Sequence, residues 1–267
     1  MEKTYPVQKE RAVDVVKILD LDRHILDTEL FHVFMREAAW EEAKIDPGVI
    51  NDYKIQKEQA GQTLHTDELI YQLLTERDEI ERGAGNVPDK TPDQQLQAVF
   101  AWMLELCEDP AVREALFMPG AKDFVGELEM DGAFDRGEAF FLTWGTEPLQ
   151  MLKLRCLNMT KHGYLITQER AKGTYIANSR TENDTYEFVT MNGWKITADE
   201  VELYDDKASS FTGLPSESQG ARGYWKLPSH QETLPSQMGS VPENVRTVNE
   251  FPVLSRLGGV ALRPNSL

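Results

Sequence analysis

The chain has 267 residues, room for one large domain or two ordinary ones, and its 40% apolar and 27% charged residues are a globular composition. It contains no run of about 18 apolar residues, which excludes a membrane-crossing helix, and residues Met1 to Glu10 lack the apolar segment of a secretory signal. A formal charge of −17 opposes binding to phosphate backbones and anionic lipid surfaces, so neither nucleic acid nor membrane is an expected partner, whereas a basic protein is.

In chain order, the first expected helix covers about residues 8–20, with Val13, Val16 and Leu19 on one stripe. The next starts at Asp27 or Thr28 and carries Leu30, Phe31, Phe34, Ala38 and Trp40. Asp46-Pro47 reads as an N-cap followed by proline at the first helical position, opening a short helix through Ile50 and Tyr53. Thr66 caps a helix through Leu69, Leu73 and Ile80 that stops before Gly83. Thr91-Pro92-Asp93-Gln94 is a capping box, and the helix it opens runs through Val99, Phe100 and Met103. Asp109-Pro110 opens one more short helix.

At Gly120 the expected period changes from 3.6 to 2. Phe124 to Met130 alternates, and residues 131–137 read as a turn. Further expected strands are Glu138 to Trp144, Leu149 to Leu157, Tyr164 to Gln168, Thr174 to Ala177, Thr185 to Met191 and Trp194 to Tyr204. Met191-Asn192-Gly193-Trp194 is the clearest hairpin signal, fitting a type I′ turn. Beyond residue 205 the chain is dense in Gly, Pro and Ser, which argues against central strands. Its apolar residues, Phe211, Tyr224 and Trp225 and then Phe251 to Leu257 and Val260 to Leu262, suggest an arm docked on its own body or on a neighbour.

The expected fold is therefore α+β. A helical subdomain covers 1–120, an antiparallel β-sheet or small barrel covers 121–205, and an extended irregular tail covers 206–267.

Chemical motifs are sparse. There is no phosphate-binding loop, no paired-cysteine metal motif and no nucleophile elbow. Gly83-Ala84-Gly85 follows a helix and runs into Pro88, the wrong context for a dinucleotide site. Glu29 with His32, and His65 with Glu68, have the spacing of di-iron ligand pairs, but no matching partners flank them. Glu127, Glu129, Asp131, Asp135 and Glu138 surround the expected 131–137 turn and are the candidate ligands for a hard cation. Asp135, Glu138 and Lys153 imitate a nuclease set only by free choice of spacing, and neither Ser229-His230 nor Cys156 stands out as a nucleophile. The two cysteines, Cys107 and Cys156, are too few for a disulfide framework, read as small core residues, and point to a reducing, cytoplasmic setting.

Residues 1–120 hold 25 acidic against 13 basic side chains, and 121–205 hold 15 against 9. With that charge and no catalytic motif, the expected function is a non-catalytic acidic binding protein. It would engage a basic, for example nucleic-acid-binding, protein partner as an inhibitor, with no cofactor. One alternative is a structural subunit of a larger assembly, or a homo-oligomer, held through the C-terminal tail. The other is a metal-dependent enzyme using the carboxylates of residues 127–138.

Overall fold

The computed structural model describes residues 7–226, 241–248 and 251. The first elements in chain order are β1 (Lys9–Leu19), α1 (Thr28–Ala43), α2 (Pro47–Gln59), α3 (Thr66–Gly83), α4 (Pro92–Leu106) and α5 (Pro110–Ala115). They are followed by α6 (Ala121–Met130), α7 (Ala133–Arg136), β2 (Ala139–Trp144), α8 (Glu147–Cys156), β3 (Tyr164–Thr167) and α9 (Lys172–Asn178). The last are β4 (Tyr186–Val189), β5 (Trp194–Asp205), β6 (Ala221–Lys226) and β7 (Val245–Val248).

These elements form two compact units. The helical unit is Leu26–Leu116 with Gly145–Thr160, and the sheet unit is Met1–Ile25, Phe117–Trp144 and Lys161–Leu267. Neither follows the expected division at residues 120 and 205.

The helical unit forms the expected caps except at Thr66, which is the first helical residue of α3 behind an N-cap at His65. Asp27, Asp46 and Asp109 each accept a first-turn N–H. Thr91 and Gln94 close the capping box in both directions, at 3.3 and 2.9 Å. His65 and Glu68, spaced like a ligand pair, form a second capping box instead. Cys107 and Cys156 are both buried, at the ends of α4 and α8, with their thiols in mutual hydrogen-bond reach. The α8 segment was expected as a strand. Thr146-Glu147-Pro148 opens a helix there, with proline in its first turn. Six of its ten residues are buried, including Gln150 and Lys153, so no one-sided stripe marks it as helical.

The sheet unit overturns the expected antiparallel sheet or barrel. Its seven strands include the path β3-β2-β1-β5-β6-β7, in which every neighbouring pair is parallel. Only β4 runs antiparallel, against the first half of β5. The fold class is therefore α/β, not α+β. The largest correction is β1. The stripe of Val13, Val16 and Leu19 fits a helix, but Val13, Val15, Val16 and Ile18 are β-branched and lose side-chain freedom in a helix. The segment forms the central strand, and Ile18 lies between Phe140 of β2 and Leu203 of β5.

Two further corrections concern segments expected as strands. In α6 the buried residues are Ala121, Phe124, Val125 and Leu128, a helical i, i+3, i+4, i+7 stripe. The apparent alternation through Gly126 and Met130 is incidental, and Met130 is exposed. In α9 the segment 172–178 packs Ile176 into the core.

The β4–β5 hairpin forms as expected, with a different turn. Asn192 does not have positive φ, whereas Gly193 has φ 81°. The Gly193 N–H donates to Thr190 O at 2.9 Å, and the Thr190 N–H donates to Trp194 O at 2.8 Å. This is a three-residue loop, a type I turn closed by a glycine bulge, not type I′.

The stretch after residue 205 is not an irregular arm. It contributes β6 and β7 to the sheet, and β6 is paired on both edges. Gly223 sits inside β6 because a Cβ there would lie 2.7 Å from Phe211 Cδ1 and 2.7 Å from Val245 Cγ2. Glycine in this stretch thus marks close packing instead of irregular chain. Of the expected docked residues, Phe251 packs against the sheet unit (below), while Val253 to Leu257 and Val260 to Leu262 lie outside the described residues.

One face of the sheet buries Ile18, Phe140, Leu203, Phe211 and Ile176. The other carries Leu19, Phe141 and Tyr204, with Phe124 of α6 at 5.8 Å from Tyr204 and Phe134 of α7 at 5.4 Å from Phe141. Covering both faces of a parallel sheet is what its apolar strands require.

Thr91→Ala is expected to destabilise the helical unit by about 0.5–2 kcal/mol through loss of the cap. Denaturant unfolding monitored by circular dichroism checks this; an unchanged midpoint would contradict it.

Candidate active site

The topology indicates where to look. From β1 the chain steps outward to β2 and β3, and later outward in the opposite direction through β5, β6 and β7. At such a reversal a crevice opens beyond the carboxyl ends of the two central strands, and open α/β sheets bind ligands there. Asp20 immediately follows β1, Asp205 ends β5, Asp206 comes next, and Lys172 opens α9.

These residues converge. The Lys172 Nζ lies 2.6 Å from Asp20 Oδ1 and 2.6 Å from Asp205 Oδ2, and all three side chains are buried. Backbone N–H groups hold the carboxylates further. Leu21 donates to Asp20 Oδ1, and Lys207 donates to Asp205 Oδ1, both at 2.8 Å. Asp20 Oδ2 and Asp206 Oδ1 are buried with no hydrogen-bond partner among the described residues. One carboxylate oxygen from each of Asp20, Asp205 and Asp206 lies within 4.8 Å of the others. Thr143, fully buried, stands on β2 two residues past the Leu19–Phe141 register pair, at the same end of the sheet.

The charges do not balance. Three carboxylates face one buried ammonium. Burial, then the charge of Asp205, pushes Asp20 well above the carboxylate range, and Lys172 offsets this only in part. Asp206 is pushed up to about 7, by burial and then by Asp205. Burial alone would lower Lys172, but Asp20 and Asp205 outweigh it and hold the lysine above its usual range. Such a site takes up either a proton or a cation. Hard oxygen donors, two of them with unsatisfied atoms, suit a magnesium-type divalent ion.

Local backbone places these groups. Arg23 adopts φ 58°, the left-handed region uncommon outside glycine. The Ile25 N–H closes that turn onto Leu21 O at 3.1 Å. The turn keeps Asp22 near Asp20, whose pKa it helps raise. It also buries His24, whose two ring nitrogens have no hydrogen-bond partner. Burial lowers His24 to about 3, so the ring is neutral at physiological pH. On the other side of the site, Gly173 allows Lys172 to approach. A Cβ there would lie 2.6 Å from Leu214 N, 2.7 Å from Thr212 O and 2.9 Å from Phe211 O, all backbone atoms.

With this geometry in view, solved structures can be compared. A haloacid dehalogenase-like hydrolase from Burkholderia xenovorans LB400 superposes with a TM-score of 0.54 at 15% identity, over 89% of this chain and 93% of its own. The chain has the haloacid dehalogenase-like fold. A HAD-hydrolase from Bacillus subtilis bound to magnesium matches at TM-score 0.47 and 14% identity, over 94% of this chain and 97% of its own. No protein-family model matches the sequence, and no curated protein matches it as a relative. The expectation of a non-catalytic acidic binding protein, acting as an inhibitor of a basic partner, is corrected accordingly. The matched structure is described as a hydrolase, and in this chain three carboxylates gather at the carboxyl ends of the central strands, away from the surface expected to meet a basic partner. Among the described residues, no helix is long and apolar enough to cross a membrane.

The candidate ligands expected around residues 127–138 lie elsewhere in the sheet unit, on helices instead of a hairpin. Glu127 and Glu129 are on α6, Asp131 caps its end, Asp135 is on α7 and Glu138 precedes β2. Arg136 pairs with Asp131 at 2.8 Å and with Glu138 at 2.7 Å. Glu129 pairs with Lys161 and with His162, both at 2.8 Å. Local cations thus pair with three of the five, Glu129, Asp131 and Glu138. Lys153 belongs to the helical unit, with its ammonium over the Phe31 ring. Sequence reasoning missed Asp20, Lys172, Asp205 and Asp206. One usable signal was present: a β-branched run, Val13 to Ile18, ending in Asp20-Leu21-Asp22.

Gly173→Ala is expected to cost about 1–3 kcal/mol by overpacking against the 211–214 backbone and to lower any activity that depends on Lys172. Thermal melts and turnover together check this. A second expectation concerns pH. The folded-state pKa of Asp20 and Asp206 exceeds the ordinary 3.8, so the folded state binds more protons than the unfolded state between about 4 and about 7 for Asp206 and about 8 for Asp20. Their contribution is fully present below that window and is lost as pH rises through it. In chelator, Asp206→Asn should therefore melt higher than the parent at pH 8, with the difference shrinking at pH 4. An equal difference at both pH values would contradict the assignment.

Proposed function

We propose that this protein is a divalent-cation-dependent phosphate-ester hydrolase that works through a covalent intermediate on Asp20. The observation that carries this reading is the convergence of Asp20, Asp205 and Asp206 on one lysine, with Asp20 Oδ2 left free. Asp20, Asp205 and Asp206 would hold the cation. When bound, it supplies positive charge that keeps Asp20 ionised and offsets charge on phosphoryl oxygens.

Asp20 Oδ1 is fixed by Lys172 and the Leu21 N–H, so its orientation is set before substrate arrives. Asp20 Oδ2 attacks phosphorus, the ester P–O bond breaks, and the leaving alkoxide takes a proton from Asp22. Asp22 suits this role because it lies in the same turn as Asp20 and is partly exposed. Asp22, now a carboxylate, takes a proton from water. That water attacks the aspartyl phosphate, breaks its P–O bond to Asp20 and releases inorganic phosphate. Lys172 and the hydroxyl of Thr143, at the same edge, offset charge that develops on the transferred group. A monoester's phosphoryl group, close to a dianion at neutral pH, would meet the charge of the bound cation more fully than a diester's single negative charge, which favours a phosphate monoester.

Hydrolysis of p-nitrophenyl phosphate with magnesium is the test. We expect turnover that chelator abolishes, a loss of at least 10³-fold in Asp20→Asn, and phosphate trapped on Asp20 after acid quench. Magnesium-independent turnover, or activity retained in Asp20→Asn, would overturn the reading.

A further inference from the structure

Beside the Asp20 centre lies a second cation that the proposed mechanism does not use. Lys226 ends β6, one residue past Trp225, which pairs with Asp205. It is only 8% exposed, and among the described residues no hydrogen bond or ion pair reaches its ammonium. A buried ammonium without an anionic partner is costly, and structures rarely keep one without use. The Phe251 ring lies 3.8 Å from the Lys226 Nζ. The ring offers a quadrupole and no acceptor, so among the described residues the N–H groups have no hydrogen-bond partner. Asp206 is near enough to act on Lys226 through its charge without pairing to it, and burial nonetheless lowers the lysine to about 8.

His24 meets the same ring from another side, edge-on at 4.9 Å. It is 1% exposed and both its nitrogens are unsatisfied. Phe124 stacks on Phe251 at 5.0 Å and fixes the ring from the α6 side. Two donors without partners among the described residues, one cationic and one neutral, therefore flank a single aromatic ring at the carboxyl ends of β1 and β6. Their chemistry is complementary to one anionic group of a ligand: a charge-assisted bond from Lys226, a neutral N–H from His24 and an apolar wall.

We propose that Lys226 and His24 form a second anion subsite beside Asp20, which selects phosphate monoesters whose leaving group itself carries a carboxylate. This rests on the hydrolase reading above and adds the substrate class to it. Lys226 is a specificity-determining residue here, since it touches the part of the substrate that departs, not the reacting phosphorus.

The test is a series of ω-carboxyalkyl phosphates of increasing length against n-alkyl phosphates of equal length, with magnesium. At the best chain length, kcat/KM for the acid should exceed that for the alkyl ester by ten-fold or more. In Lys226→Met that ratio should fall towards one, and in Lys226→Arg it should persist. A ratio near one in the parent, or a high ratio retained in Lys226→Met, would overturn the subsite. Failure of the hydrolase reading looks different, because neither series would then turn over. In that case calorimetric titration of the parent protein and of Lys226→Met with the same ω-carboxyalkyl phosphates decides. Tighter binding of acids than of alkyl esters, lost in Lys226→Met, supports the subsite, and equal binding of both series to the parent overturns it. His24→Phe, which keeps the ring packing, should lower the acid-to-alkyl ratio less than Lys226→Met does.

Discussion

The buried bridge from Lys172 to Asp20 and Asp205 is the interaction on which the sheet unit depends. It joins three elements that the chain separates widely: the end of β1, the start of α9 and the end of β5. Buried ion pairs bring little net stability over apolar packing, yet removing one member leaves an uncompensated charge that costs about 3–5 kcal/mol. The bridge therefore acts more as a constraint than as a source of stability. It holds the carboxyl ends of the two central strands in register, and α9 must approach closely enough to deliver the ammonium. That explains why glycine follows Lys172, where the 211–214 backbone leaves no room for a side chain.

The same bridge leaves the site short of positive charge. Among the described residues, Asp206 Oδ1 and Asp20 Oδ2 have no hydrogen-bond partner. An excess of negative charge held at a mostly buried strand end costs stability, the kind of imbalance that clusters at functional sites. Elsewhere in the sheet unit the balance is different. Arg136 and Lys161 pair with Asp131, Glu138 and Glu129 near the surface, where exposed pairs contribute about 0–1 kcal/mol each.

Much of the helical unit was legible because its signals are local. Asp27, Asp46, Thr91 and Asp109 each cap a helix within their own first turn, and tertiary context does not alter that chemistry. The hairpin at Asn192-Gly193 was legible for the same reason, although the turn type was not, since Asn192 and Gly193 fit two loops of different length. What failed was any inference that needed partners far away. Val13, Val16 and Leu19 satisfy a helical stripe and a strand equally well, and only the pairing of β1 with β2 and β5 decides between them. In α6, Gly126 and the exposed Met130 completed a false alternation. The site was hidden for a stronger reason. Its carboxylates come from positions 20, 205 and 206, so a search for neighbouring acidic residues finds the 127–138 cluster instead.

The insertion of Leu26–Leu116, the larger segment of the helical unit, between β1 and β2 has a kinetic consequence. Lys9 pairs with Trp194, and Leu19 pairs with Phe141 and Tyr204, so the central strand has no partner until most of the chain exists. During synthesis β1 leaves the ribosome before β2 and β5 and waits, with apolar Val13 to Leu19 unpaired, while residues 28–115 can already form helices from local contacts. Parallel pairing across such separations is slow because loop closure precedes any reward. Lys9, Arg11, Asp14 and Lys17 interrupt the strand with charge, which keeps the waiting segment from pairing with another nascent copy of itself.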